Sequence, residues 1–202
     1  MFEGKRAGLD NDKHKNDEPD FVRLFDGTLD GWKLVGNGGF AIVSEGEQPL
    51  LKTQGGMGLL WYCKKRFKDF VLRLQWKVTN RQDNSGIFVR FPNPPGDPWV
   101  AVSNGYEIQI DDLAQPDGNP VHLTGAIYGF KHPTKVASRP VGQWNDLGVF
   151  VKDQKYSVTI NNEKVIKDFL GNRNIKEGYI GLQNHDCKST VYFKSIAIKE
   201  LI

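Results

Sequence analysis

Short runs of alternating apolar and polar residues, broken by Gly, Asn, Asp and Pro, constrain this chain more than any other feature. In the clearest run, Phe70, Leu72, Leu74, Trp76 and Val78 alternate with Val71, Arg73, Gln75 and Lys77. Successive side chains of a strand point to opposite faces, so this spacing predicts a strand with one buried face. Similar runs start at Phe21 to Phe25, Phe40 to Val43 and Gly58 to Tyr62, and later at Leu147 to Val151, Tyr156 to Ile160, Lys164 to Ile166 and Val191 to Leu201. The Asn161-Asn162 pair between two of these runs predicts a tight hairpin. No segment holds a 3.6-residue apolar period over three turns. Many short strands and almost no helix predict an all-β sandwich of two antiparallel sheets.

Three further strand-like segments carry polar groups that a plain core strand would not. They are Asn84-Ser85-Gly86-Ile87-Phe88-Val89-Arg90-Phe91, Gly105-Tyr106-Glu107-Ile108-Gln109-Ile110-Asp111 and Tyr179-Ile180-Gly181-Leu182-Gln183-Asn184-His185. Strict alternation puts Gly86, Phe88 and Arg90 on one face of the first, opposite Ile87, Val89 and Phe91. In the second it groups Glu107, Gln109 and Asp111, and in the third Gly181, Gln183 and His185. If these strands share a sheet, an Arg, a Glu, two Gln and a His converge on one concave face.

The chain of 202 residues is long enough for one domain with a sizeable core, and 39% hydrophobic with 25% charged residues fits a globular protein. A formal net charge of +3 gives little reason to expect nucleic acid or an anionic membrane as partner. No stretch reaches the roughly 20 apolar residues of a membrane helix. Residues 1–20 are polar, with no apolar core of a signal peptide, and are expected to form a loosely ordered arm ahead of a domain over residues 21–202. Two cysteines, Cys63 and Cys187, have no metal-binding or redox spacing, and whether they pair is left open. There is no nucleophile elbow, phosphate loop or dinucleotide fingerprint.

With its strands placed, the sequence resembles the 3-keto-disaccharide hydrolase domain family, formerly a domain of unknown function. The resemblance runs from about Phe21 to Leu201. It is carried by Leu24-Phe25-Asp26-Gly27 through Gly31-Trp32, the Asn84 to Arg90 and Gly105 to Ile110 segments, Thr124-Gly125-Ala126-Ile127-Tyr128-Gly129, Gly142-Gln143-Trp144-Asn145, and Gly178 to His185. Each stretch alone is weak, and their order makes the resemblance specific. It implies a concanavalin A-like jelly-roll sandwich (the lectin and glucanase fold) and cleavage of glycosides whose sugar is oxidised to a ketone at carbon 3. Members are commonly exported, often as lipoproteins. This chain shows no lipidation signal, so its compartment stays open.

A two-carboxylate glycosidase needs a second suitably spaced acid, and here only Glu107 and, less clearly, Asp111 are on offer. A 3-keto sugar changes the requirement. The ketone acidifies the carbon 2 hydrogen, a base removes it, and the resulting enolate expels the group on carbon 1, after which water adds back. On this reading His185 is the base or acid, Glu107 its carboxylate partner or the alternative base, and Arg90 the ligand of the ketone oxygen or of a ring hydroxyl. Gln109, Gln183 and Asp111 would meet hydroxyls, and Tyr128 and Trp61 would stack on a sugar face. His185 and Glu107 with Asp111 also form a candidate set for a divalent metal ion, without a compact ligand spacing to support it.

Each residue has a plainer explanation as well. Arg90 and Glu107 can form a cross-strand ion pair, the glutamines can be solvent-facing strand positions, and His185 a structural histidine. Trp32, Trp76 and Trp144 are expected in the core, whereas Trp61 is balanced between core and platform. His122 and His132 lie in loops, and their spacing demands no role. A non-catalytic carbohydrate-binding module using the same face is the alternative to an enzyme. A conventional glycosidase acting on an unoxidised sugar comes third.

Overall fold

A computed structural model describes residues 20–202. The polar arm expected over residues 1–20, with His14, therefore lies outside the described residues except for Asp20. The strands in chain order are β1 (Val22–Arg23), β2 (Trp32–Gly36), β3 (Gly39–Glu45), β4 (Gln48–Gln54), β5 (Gly58–Tyr62), β6 (Phe70–Val78), β7 (Ser85–Phe91), β8 (Tyr106–Ile110), β9 (Asn145–Lys152), β10 (Lys155–Ile160), β11 (Glu163–Leu170), β12 (Tyr179–Asn184) and β13 (Val191–Glu200). One six-residue helix, α1 (Trp99–Asn104), and a 3-10 turn over Pro120–His122 complete the secondary structure of the described residues.

The strands form two antiparallel sheets, a concanavalin A-like jelly-roll sandwich. The larger has the order β11-β10-β9-β6-β13-β4-β3, with β1 also paired to β13, and the smaller runs β2-β5-β12-β7-β8. In β6 the alternation holds as the sequence predicts: Phe70, Leu72, Leu74, Trp76 and Val78 are buried between the sheets. They meet Ile87, Val89, Ile108, Ile110, Ile180 and Leu182 from the smaller sheet in one apolar core. The Asn161-Asn162 turn joins β10 to β11 with both residues in the left-handed region (φ 50 and 68), as a two-residue hairpin with right-handed strand twist requires. Helix α1 and strand β4 are not evident from periodicity. One is too short to show a period, and the other contains Pro49 near its start, where a proline argues against a strand.

A second apolar cluster lies on the opposite face of the smaller sheet. Leu59, Trp61, Phe88 and Phe91 pack there with Ala101 of α1, and Val35, Cys63, Val102 and Tyr179 border them. The membership of Phe91 departs from strict alternation. Between Tyr179↔Phe91 and Ile180↔Val89 the register advances two residues on β7 for one on β12, and the extra residue, Arg90, has φ 56. This bulge swings Phe91 to the outer face and Arg90 away from it.

Candidate functional site

The outer face of the smaller sheet can be built from its register. Cross-strand pairs place Glu107 beside Phe88, Phe88 beside Gly181, and Gly181 beside Trp61. One step along, Gln109 pairs with Gly86, and Gln183 with Leu59. The segment from Gly125 to Tyr128 continues the sheet beyond β8. Gly125 N–H donates to Gln109 O (2.8 Å), Gln109 N–H to Ala126 O (3.0 Å), and Tyr128 N–H to Glu107 O (2.9 Å). Ile108 bridges Ile127, both in the core, so Tyr128 stands next to Glu107 on the outer face.

Glycine shapes the floor of this face. A Cβ added at Gly86 would stand 2.0 Å from Glu107 Oε1, so the glutamate side chain lies across this position and tolerates no side chain beneath it. Glu107 is 6% exposed, Gln109 3% and Gln183 4%. One oxygen of each, Oε1, is buried and finds no hydrogen-bond partner among the described residues. Gln109 Nε2 donates to Asn84 Oδ1 (3.2 Å), which orients that amide with its oxygen left over. Buried polar groups are normally paired. Three unpaired acceptors around one glycine form a surface that awaits hydrogen-bond donors.

Among the described residues no cation stands beside the carboxyl of Glu107. Burial alone pushes its pKa from 4.5 to about 8. Burial also raises the Tyr128 phenol, with the nearby carboxyls of Glu107, Asp117 and Asp111 adding to the shift, so the phenol keeps its proton. The ring of Tyr128 stacks on His122 (centroids 4.8 Å apart, 26° between planes), and His122 Nδ1 lies 3.0 Å from Asp117 Oδ1. Asp117–His122–Tyr128 thus forms a polar cluster next to Glu107. Sequence spacing alone gave no signal for Asp117 or His122, because the loop that joins them to Tyr128 is folded by contacts elsewhere. Asp111 organises it, accepting from Leu113 N–H (2.9 Å), Gln115 N–H (2.8 Å) and Asn84 Nδ2 (3.2 Å).

Several expected neighbours are not brought together. Arg90 does not share the Glu107 face. The bulge turns it into the sandwich, where it is fully buried, pairs with Asp69 (2.9 Å) and donates to the carbonyls of Lys68, Asp153 and Ile175. It is a clamp on three loops, so neither the ketone ligand nor the Arg90–Glu107 ion pair is formed. His185 follows the end of β12, is 44% exposed and pairs with Asp186 (2.8 Å). Counting two strand spacings and four residues of rise, it lies roughly 16 Å from Glu107 between Cα atoms, beyond the reach of the two side chains. Asp111, four residues along the same chain, serves the loop. The set His185–Glu107–Asp111 therefore does not fit a metal ion, and among the described residues no three His, Cys, Asp or Glu side chains are grouped to hold one. Trp61 is enclosed, edge-on to Tyr179 (4.8 Å) and Phe91 (6.4 Å), and so is no open platform. Its Nε1 is buried without a partner among the described residues.

Among the described residues no helix is long and apolar enough to cross a membrane. The structure is similar to a glycosyl hydrolase candidate from Parabacteroides distasonis ATCC 8503, with TM-score 0.73 and 21% identity over 94% of this chain and 97% of that one. A further structure from the same organism, given the same description, is 25% identical over 90% of this chain and 84% of that one, with TM-score 0.65. The carbohydrate-binding module CBM66 of Bacillus subtilis shares the fold at TM-score 0.58 and 16% identity, over 84% of this chain and 96% of that one. No curated protein matches the sequence. Residues 20–199 match the 3-keto-alpha-glucoside-1,2-lyase-like domain, and the chain belongs to that carbohydrate-directed family.

Proposed function

We propose that the protein cleaves the glycosidic bond of 3-keto-glycosides by elimination from carbon 2, with Glu107 as the base. The observation that carries this reading is the buried Glu107 carboxyl, pushed up to about 8 with no cation beside it among the described residues. An ordinary carboxylate is too weak a base for a carbon acid, whereas one raised close to the working pH combines basicity with a usable ionised fraction. Glu107 takes the proton on carbon 2. The electrons of that C–H bond form the carbon 2–carbon 3 double bond, and the ketone oxygen takes the negative charge. The Tyr128 phenol, which stays protonated, donates a hydrogen bond to that oxygen in the place first expected of Arg90. The enolate then re-forms the ketone, its carbon 2–carbon 3 electrons become a carbon 1–carbon 2 double bond, and the bond from carbon 1 breaks with its electrons going to the leaving oxygen, which receives a proton from His122, oriented by Asp117. Water added to the unsaturated keto sugar completes a net hydrolysis. Gln109 and Gln183 accept hydrogen bonds from sugar hydroxyls through their unpaired oxygens.

The test is incubation with a 3-keto-disaccharide and with its unoxidised parent. Cleavage of the keto form alone is expected, with kcat/KM rising towards pH 8. Glu107→Gln should lose about 10²–10⁴-fold in kcat with the fold intact. Cleavage of the parent at the same rate would overturn the reading. The same acceptor oxygens also suit binding without chemistry, and saturable binding of the keto sugar with no cleavage would establish that alternative.

A further inference from the structure

A strap of chain crosses the outer face of the smaller sheet, from the loop after β7 through α1 to Gly105. It begins above the end of β2, where Pro98 Cγ lies 2.7 Å from the place a Cβ on Gly36 would take. It ends at Gly105, directly ahead of β8. Ala101 faces the sheet and packs in one cluster with Leu59 and Phe88. Both of those residues point to the outer face and yet are fully buried, so the strap covers them. Leu59 pairs with Gln183, and Phe88 with Glu107. The flank of the strap therefore stands about 5 Å, one strand spacing, from the acceptor floor.

The residues on that flank are apolar. Trp99 and Val102, three apart, share one side of α1. With Ala101 against the sheet and the helix running from β2 towards β8, a right-handed turn sets that side towards Gln183 and Glu107. Val102 is half-buried, whereas Trp99 is 62% exposed and its indole packs in neither apolar cluster. The backbone beneath the indole is tied down. Trp99 N–H donates to Asp97 Oδ1 (2.8 Å), Gly105 N–H to Ala101 O (2.9 Å), and Arg173 to the carbonyls of Val102 (3.2 Å) and Gly105. A large ring held rigidly in water beside unpaired acceptors calls for a ligand that covers it. The two rings first expected as platforms do not serve. Trp61 is enclosed, and one face of Tyr128 is taken by His122.

We infer that Trp99, with Val102 below it, is the platform on which a neutral pyranose ring stacks at this site. The C–H face of the ring lies on the indole, and the edge that carries its hydroxyls meets the free oxygens of Gln109 and Gln183. The assignment deepens the reading of the Glu107 face as a sugar site and rests on it. It holds for a cleaving and for a purely binding protein alike, because stacking needs no titrating group.

The test uses the full chain carrying Glu107→Gln, titrated with a 3-keto-disaccharide and read by tryptophan fluorescence and calorimetry. A saturable fluorescence change is expected, and adding Trp99→Phe should abolish it while keeping affinity within about threefold. Trp99→Ala should weaken binding about tenfold. In the protein with Glu107 intact, Trp99→Ala should raise KM about tenfold and leave kcat within about twofold, as binding lost equally from ground and transition states requires. An unchanged melting temperature establishes that this exposed substitution leaves the fold intact. Sorbitol, which has the hydroxyls but no ring face, should give no saturable change. The inference is overturned by a fluorescence change that survives Trp99→Phe, by unchanged affinity in Trp99→Ala, by a loss confined to kcat, by sorbitol binding as tightly as the disaccharide, or by no saturable binding at all. Failure of the wild type to cleave any keto sugar would overturn the elimination reading instead, and the Glu107→Gln titration would still decide the platform.

Discussion

Glu107 is governed by where its carboxyl sits. On an exposed strand it would be an ordinary acid. Here Gly86 lets its side chain lie flat on the sheet, and burial raises its pKa from 4.5 to about 8. The raised value has a consequence for stability as well as for chemistry. In the unfolded chain the carboxyl ionises near 4.5, but in the folded protein it holds its proton until about 8. The folded state therefore binds more protons between those limits. Its contribution to stability is fully present below 4.5 and is lost as pH rises through about 8, with a slope of up to about 1.4 kcal/mol per pH unit. Denaturant unfolding from pH 5 to 9 should show this decline in the wild type and a flatter profile in Glu107→Gln. Equal slopes would mean that another group titrates.

Arg90 shows that a residue's role is set by the element carrying it. Read by alternation, it belongs with Phe88 on the outer face. The bulge at φ 56 reverses that, and the guanidinium becomes a buried tie between the loops holding Lys68, Asp69, Asp153 and Ile175. Removing one partner of a buried ion pair leaves the other charged and unpaired. Arg90→Ala should cost about 3–5 kcal/mol in equilibrium unfolding. Arg90→Lys should recover only part of this loss, because an ammonium cannot span the same fork of carbonyls. Surviving folded Arg90→Lys protein should keep the activity assigned to Glu107. Loss of that activity without loss of stability would return Arg90 to the site. Strand β8 behaves as its sequence suggests, since it has no bulge and each residue from Tyr106 to Ile110 keeps its face. The segment from Gly125 to Tyr128 extends it and so sets Tyr128 beside Glu107, a placement made by backbone hydrogen bonds rather than by any pattern in the loop.

At the scale of the whole molecule, packing rather than covalent staples holds the two sheets. Cys63 is half-buried, Cys187 is exposed, and both are free. Denatured, unreduced protein should therefore yield two titratable thiols, and dithiothreitol should leave the melting temperature unchanged. A drop on reduction would reveal a bridge. The all-β class, the strand positions of β6, β7, β8 and β12, the β10–β11 hairpin and the family were all legible in the sequence, because alternation, turn residues and ordered motifs are local and each strand carries its own. Local pattern also marked Glu107 and Gln109 as sharing a face of one strand and Gln183 as facing with Gly181 on another. Four things needed the tertiary structure: the bulge that withdraws Arg90, the separation of His185 from Glu107, the docking of His122 on Tyr128, and the place of Trp144, which is expected in the core but stands half-buried beside Lys77 and Glu45. Each depends on register and on loops closed by distant partners, and a side chain's neighbours across a sheet are fixed by hydrogen bonds between strands far apart in the chain. The sequence by itself determined which strands form and which residues face together along each one. The tertiary structure decided which of those residues meet, because one extra residue in a strand exchanges its faces, and two strand spacings together with four residues of rise put a histidine out of reach.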